Sequence, residues 1–289
     1  MSKKESELIL NEDGSVYHLN LKPEHIAHDI IFVGDQDRVA EITNKFDFVE
    51  FTTQKREFKT TTGSYKGKKI TVISTGIGPD NIDIVLNELD ALVNIDLKTR
   101  KPKTNLTTLN IVRIGTSGAL QKDIPIDSFL MSSHALDLNG MLHAYQIEEI
   151  SNIAIENAFI KHTNWSAKKS NPILIENSNK LAKKLSSDKV FTGITATAGG
   201  FYGPQGRVLR LPLQDAEINS KIDSFNFNGN RITNLEMETS AIYGLAKLLG
   251  HEAVSMNAII ANRATGAFSK DYKKVVTELI EYTLNKLTA

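Results

Sequence analysis

The side chains best suited to chemistry fall into a few short clusters. Gly34-Asp35-Gln36-Asp37-Arg38, Thr75-Gly76-Ile77-Gly78 and Arg113-Ile114-Gly115-Thr116-Ser117-Gly118 each read as a turn after an apolar, strand-like run. Glycines at strand ends let backbone N–H groups close on an anion, and a helix starting there adds positive potential. Two of the three carry an arginine, whose fork matches phosphate oxygens, and the last adds two hydroxyls. The same turns would also serve as plain tight connections. None fits GxxxxGK[ST] or a full GxGxxG, which disfavours nucleoside triphosphates and NAD.

Two further clusters are polar in a different way. Asn234-Leu235-Glu236-Met237-Glu238 reads as the opening of a helix, where Glu236 and Glu238, two apart, do not share a face. A carboxylate there can accept from two neighbouring hydroxyls, as in a ribose diol, or simply favour the helix N-terminus. Phe201-Tyr202-Gly203-Pro204-Gln205-Gly206-Arg207 packs two aromatics, an amide and a guanidinium into seven positions. Amide plus guanidinium complement the edge of uracil, while a surface loop with an aromatic anchor is the plainer reading. Of seven histidines only His25 and His28 lie close together, and a lone HxxH makes no metal site, so no metal is expected.

The elements that must position these residues alternate between extended and helical patterns. Asp29–Val33, Lys69–Ser74, Thr108–Ile114 and Val254–Ala261 are short apolar runs suited to buried strands. Pro79 opens a helix whose apolar face is Ile82, Val85, Leu86, Leu89, Leu92 and Val93. A second helix is striped by Met237, Ala241, Leu245 and Leu248 and stops at Gly250; a third is striped by Val276, Ile280, Leu284 and Leu287. Phe48–Lys66 is Thr-rich and extended, which predicts hairpin strands. The fold class is therefore α/β, with a central mixed β-sheet surrounded by helices. No linker or repeat divides the 289 residues, so one domain is expected, with residues 1–15 as a flexible N-terminal segment. Thirty-four basic residues balance thirty-four acidic ones, which leaves no general footprint for nucleic acid or an anionic membrane. The basic run Lys98–Lys103 reads as a solvated loop. Zero cysteines exclude disulfides, thiolate metal sites and a cysteine nucleophile. The amino terminus does not read as a signal peptide, and a cytoplasmic protein is expected.

Taken in order, these segments resemble the nucleoside phosphorylase-I superfamily, and within it the uridine phosphorylases most. The resemblance runs from about Tyr17 to the C-terminus. It is carried by Tyr17-His18-Leu19-Asn20-Leu21, GDQDR, Lys55-Arg56-Glu57-Phe58, STGIG, RIGTSGALQ, FYGPQGR and NLEMETSA. It implies a single-domain phosphorylase fold and the reaction of uridine with phosphate to uracil and ribose 1-phosphate, in pyrimidine salvage. By the same resemblance Gly34, Arg38, Arg113 and Thr116 would hold phosphate, with Arg56 reaching in from a neighbouring subunit. Met237 and Glu238 would hold the ribose, with Glu236 beside them and a neighbour's His18 near the 5′-hydroxyl. Gln205 and Arg207 would hold uracil, Phe201 would line the sugar–base pocket, and Ile260 and Ala261 would be apolar base-pocket residues. Arg207, Gln205 and Glu238 are the expected catalytic set.

Purine-cleaving relatives place an aspartic acid after the late strand. Here the stretch reads Ile260-Ala261-Asn262-Arg263, and Asn262 cannot donate a proton as an acid would. The alternatives are a purine nucleoside phosphorylase, a nucleosidase and a non-catalytic protein of the same fold. Three arginines around an anion argue against water as the nucleophile. Phosphate is expected as cosubstrate, with no cofactor; Asn81 stands where some relatives pair a serine with Glu57 in a monovalent-cation site, which argues against potassium dependence. Gln36 replaces the usual proline of GDPxR, and residues 96–107 look inserted. The shared residues imply a homo-oligomer, at least a dimer.

Overall fold

The computed structural model describes residues 2–289. Seven helices and fourteen strands alternate along them. The first half contains β1 (Asp29–Val33), α1 (Gln36–Thr43), β2 (Phe48–Lys55), β3 (Phe58–Tyr65), β4 (Lys68–Ser74), α2 (Pro79–Asn94), and the two-residue pair β5 (Ile95–Asp96) and β6 (Lys101–Pro102). Then come β7 (Asn110–Ala119), β8 (Phe129–Asp137), α3 (Ile153–Thr163), β9 (Ile173–Glu176), α4 (Asn179–Leu185) and β10 (Val190–Thr197). The chain ends with α5 (Ile218–Asp223), β11 (Asn226–Phe227), β12 (Asn230–Glu236), α6 (Thr239–Leu249), β13 (Glu252–Asn262), β14 (Ala267–Phe268) and α7 (Tyr272–Thr288).

One mixed sheet runs β11-β12-β10-β8-β13-β7-β1-β4-β3-β2. Period-two alternation splits its side chains between two cores. Ile30 and Phe32 of β1 pack with α2 and α6 through Ile82, Leu86, Leu89 and Ile242. Ile31 and Val33 pack on the other face with α1 and α7 through Val39, Ile42, Val276 and Ile280. Each of these buried apolar side chains contributes about 1.5–3 kcal/mol by leaving water. β12 also pairs across to β7, Asn234 opposite Ala119 and Leu235 opposite Gly118. That extra pairing closes β7, β13, β8, β10 and β12 into a five-strand ring.

The structure departs from the sequence reading at four places. The helix expected from Asn234 begins only at Thr239, because Asn234–Glu236 complete β12 and bond into the ring. Arg113 to Gly118 is no turn: β7 runs on to Ala119, pairing with β13 as far as Asn262. Gly115 is needed there for a different reason, since a Cβ on it would lie 1.9 Å from the Arg113 guanidinium. The Lys98–Lys103 stretch contributes to the small β5–β6 hairpin. Residues 2–15, for which flexibility was expected, lie against the domain: Leu8 is buried, Leu10 bridges Val16, and the Lys3 N–H donates to the Arg100 carbonyl. Among the described residues no helix is long and apolar enough to cross a membrane.

Candidate active site

Strands β4, β1, β7 and β13 run parallel, and past their carboxyl ends lies a cavity of about 810 Å³. Such crevices are where open α/β sheets bind ligands. Gly34, Arg38, Arg113 and Thr116 line one part of it, Glu236, Met237 and Glu238 another, and Phe201, Gln205, Arg207, Ile260 and Ala261 a third. The cavity thus gathers twelve of the residues singled out from sequence. His18 and Arg56 do not line the cavity of their own chain.

Arg38 lies in the first turn of α1, whose N-cap Asp35 accepts the Asp37 N–H at 2.9 Å. Among the described residues its guanidinium has no hydrogen-bond or salt-bridge partner. Burial lowers its pKa from the ordinary value, and Arg113 lowers it further. A desolvated, unpaired guanidinium is a receptor for an anion. Gln36, in place of proline, donates through Nε2 to the Arg56 carbonyl at 2.8 Å and accepts from Gln54 at 3.0 Å. It ties the β2–β3 turn, where Arg56 has φ 55°, to the Arg38 loop.

Arg113 is the electrostatic centre. Its Nη2 lies 2.6 Å from Glu238 Oε2 and 3.2 Å from Glu236 Oε2, and its Nη1 donates to Asn257 Oδ1 at 3.1 Å. Burial opposes the charge, but the two carboxylates prevail and its pKa is raised. Glu236 and Glu238 converge because the chain between them is a strand end and an N-cap, not helix. Glu236 also accepts from Thr197 Oγ1 at 2.7 Å and from the Glu238 and Thr239 N–H groups, so its oxygens are committed to the start of α6. Glu238 accepts only one further bond, from the Gly78 N–H at 2.9 Å. A carboxylate has about four acceptor positions, so Glu238 keeps capacity for ligand hydroxyls. Burial pushes its pKa up against the pull of Arg113, and Glu236 adds to the rise.

A polar belt runs round the ring and ends at this centre. Asn257 (β13) donates to Ser132 (β8) at 3.3 Å, Ser132 and Thr195 (β10) share a 2.5 Å bond, Thr195 donates to Asn234 (β12) at 2.7 Å, and Asn234 donates to Ser117 (β7) at 2.9 Å.

At the other end, Gly203–Gln205 forms a turn of 3-10 helix and Gly206 adopts the left-handed region at φ 68°. A side chain there would be strained by the backbone and its Cβ would meet Asn219 Nδ2 at 2.3 Å. Arg207 lies 3.8 Å above the Phe201 ring, and burial lowers its pKa. Gln205 is buried, and its Oε1 accepts from Arg207 at 2.6 Å and from Arg263 at 3.0 Å. Both acceptor positions of the amide oxygen are therefore taken, while Nε2 has no protein partner among the described residues. Arg263 also donates to the Gln205 carbonyl at 2.6 Å; burial and Arg207 push its pKa down to about 10, which leaves it charged at neutral pH.

Asn262 is committed to the protein's own backbone. Its amide donates to the Gln121 and Ile124 carbonyls at 2.9 and 2.7 Å and accepts from the Thr265 N–H at 3.0 Å. It is turned away from the cavity, and the next residue, Arg263, stands behind Gln205. The register of β13 against β7 shifts between Ile259 and Ala261, so Ile260 is an extra residue. Such bulges re-aim the side chains that follow.

Comparison with known proteins agrees with this fold. The sequence model of the phosphorylase superfamily matches residues 29–287. The chain is 30% identical over 269 residues to a uridine phosphorylase of Thermococcus kodakarensis, spanning 91% of this chain and 83% of that one. It is 25% identical over 276 residues to a DeoD-type purine nucleoside phosphorylase of Bacillus subtilis, spanning 94% and 98% of the two chains. The solved Trypanosoma brucei nucleoside phosphorylase, described as showing uridine phosphorylase activity, superposes with a TM-score of 0.87 at 28% identity, covering 97% of this chain and 99% of its own.

Proposed function

The chain belongs to the phosphorylase superfamily, and from that premise we propose that it is a uridine phosphorylase, converting uridine and phosphate to uracil and ribose 1-phosphate. The observation that carries the reading is the base end of the cavity, where Gln205 is clamped between Arg207 and Arg263 and the residue in place of a purine-protonating acid, Asn262, is turned away. Donors face the base here and no acid does. The Gln205 Nε2 and the remaining N–H groups of Arg207 suit the two carbonyls of uracil, whereas the amino group of cytosine would meet donors.

The reaction follows from charge. As the bond from C1′ to the base nitrogen lengthens, C1′ becomes cationic and the base gains negative charge on its carbonyls. Arg207 and Gln205 stabilise that anion; preorganised donors of this kind contribute about 2.7–4 kcal/mol each. Glu238 holds ribose hydroxyls and, as a carboxylate near a cationic C1′, favours the transition state. Phosphate, held by Arg38, Arg113, Thr116 and the Gly34 backbone, attacks C1′ from the face opposite the base, and uracil takes its proton from water. Positioning and electrostatics suffice, with no covalent enzyme intermediate and no cofactor. Arg56 and His18 lie outside their own cavity, which suits residues supplied to a neighbour in at least a dimer.

Purine cleavage is the second reading, favoured by the match to DeoD-type purine enzymes. A phosphorolysis screen of uridine, thymidine, cytidine, inosine and adenosine, with and without phosphate, separates the two. Uridine should react only with phosphate and inosine should react poorly; preferred cleavage of inosine would overturn the pyrimidine assignment, and free ribose in phosphate-free buffer would identify a nucleosidase.

A further inference from the structure

His18 is held by a single carboxylate from another part of the chain. Glu88, on α2, accepts the His18 N–H at 2.9 Å and the His18 Nδ1 at 2.7 Å through Oε1, and the Leu19 N–H at 2.8 Å through Oε2. The pair is sequestered, with the Glu88 side chain 14% exposed and His18 28%. Tyr17 packs edge-on against the imidazole at 4.8 Å, which fixes the plane of the ring from a second side. An ionised carboxylate only accepts, so the imidazole nitrogen facing it carries the hydrogen, whether the ring is neutral or protonated. Nε2 is thereby the one atom left to change partners, and among the described residues it has none.

The helix that supplies Glu88 is anchored at its other end to the cavity. The Gly78 N–H, at the N-cap of α2, donates to Glu238 Oε1, and Glu88 follows ten residues later, about 15 Å along the axis. A loop residue that must cross an interface needs such a rigid support, because side-chain error of the order of 1 Å already weakens a catalytic contact.

We propose that Glu88 is a positioning residue: its carboxylate fixes the 17–19 turn and sets His18 with hydrogen on Nδ1, so that Nε2 is presented to the 5′-hydroxyl of a nucleoside bound in a neighbouring subunit. The proposal rests on the placement of His18 at a neighbour's sugar given above, and adds the residue that makes His18 competent there. A purely structural carboxylate would satisfy the same backbone donors without affecting how the enzyme tells one sugar from another.

The test is the ratio of kcat/KM for uridine to that for 5′-deoxyuridine, measured on the intact oligomer for the natural protein, Glu88→Gln, Glu88→Ala and His18→Ala. The natural protein should prefer uridine by about tenfold, the scale of one well-made hydrogen bond. Glu88→Ala should reduce that ratio to near one, as should His18→Ala, and the double variant should lose no more than His18→Ala alone. Glu88→Gln keeps the side chain's volume and one acceptor for the backbone, so it guards against misfolding and should also lose most of the preference. Imidazole nitrogen chemical shifts of His18 should report hydrogen on Nδ1 in the natural protein and a mixture of tautomers in Glu88→Ala. If Glu88→Ala and Glu88→Gln retain the natural ratio while both substrates slow equally, Glu88 merely supports the fold and the proposal is overturned. A natural protein that treats the two substrates alike would refute the His18 placement itself, a failure distinguishable from that of Glu88.

Discussion

Replacing Arg263 with methionine tests how the base end is built. Methionine matches the reach of the arginine stem but removes its donors. Two hydrogen bonds to Gln205 are lost, one to its backbone carbonyl at 2.6 Å and one to Oε1 at 3.0 Å, while Arg207 still holds Oε1 at 2.6 Å. Bonds from a charged donor are worth about 1.5–3 kcal/mol each. Because Arg207 retains half of the clamp on the amide, roughly one such bond should be lost from the transition state. The expected fall in kcat/KM for uridine is therefore about 10- to 150-fold. The KM for phosphate should move less than about threefold, since Arg263 does not line the cavity where Arg38 and Thr116 lie.

The assay is steady-state phosphorolysis with uridine varied at saturating phosphate and the reverse, alongside a thermal melt to exclude unfolding. Arg263→Lys should be intermediate, because an ammonium is a point charge that cannot repeat the planar fork. An Arg263→Met protein that melts normally and cleaves uridine within about twofold of the natural rate would refute the clamp, as would equal losses for uridine and phosphate.

Arg38→Ala should cost about 100-fold in kcat/KM for phosphate while shifting the melting temperature by no more than about 2–4 °C, because the side chain has no protein partner to lose; an unchanged phosphate KM would remove Arg38 from the anion site. Burial raises the pKa of Asp137 despite hydrogen bonds from Ser240 and the Gly140 N–H, so above the unfolded carboxylate range the folded state binds more protons than the unfolded one and stability declines as pH rises through the folded pKa. Asp137→Asn lacks that titration, so its urea midpoint should gain on that of the natural protein as pH rises above the unfolded carboxylate range, and a constant difference would contradict this. Mixed dimers refolded from Arg56→Ala and Arg113→Ala chains should recover roughly a quarter of natural activity if Arg56 acts in trans, since half the dimers are mixed and each then holds one intact site; no recovery in demonstrated mixed dimers would reject sharing.

The buried strands β1, β4, β7 and β13 were legible in part or whole as apolar runs, whereas β8, β9, β10 and β12 were not. Asp29–Val33 reads as a strand because every second residue feeds a different core, and Pro79 reads as a helix start because a fixed φ and a missing N–H cost nothing there. The ring was not legible. Leu235 meets Gly118 across more than a hundred residues, and no local signal announces that pairing. Its closure is what holds Asn234–Glu236 in a strand against a helix-like sequence. Arg263 was given no role because nothing in Ile260-Ala261-Asn262-Arg263 announces the bulge at Ile260. The extra residue at Ile260 turns Asn262 toward the Gln121 carbonyl and brings Arg263 to Gln205. The motifs, through their order along the chain, name residues that the structure gathers around one cavity.

The charges in that cavity bear on the proposed assembly. Arg38, Arg113 and Arg207 line it, but so do Asp35, Asp37, Glu57, Glu236 and Glu238, three cations against five carboxylates. Arg113, the most buried of the arginines, is already engaged by two of the carboxylates. A phosphate dianion entering a site of one isolated chain would thus meet little net attraction beyond Arg38 and the backbone donors. One more guanidinium about 4 Å from the anion, at an effective dielectric constant near 20, adds about 4 kcal/mol per unit of phosphate charge. Arg56 sits on a left-handed turn and does not line its own chain's cavity, and its carbonyl is tied by Gln36 to the loop that carries Arg38. If a second chain supplies this arginine, as proposed above, phosphate binding strengthens when chains associate. Phosphate affinity should accordingly fall on dilution into monomers faster than uridine affinity does, since the Gln205 clamp is made within one chain.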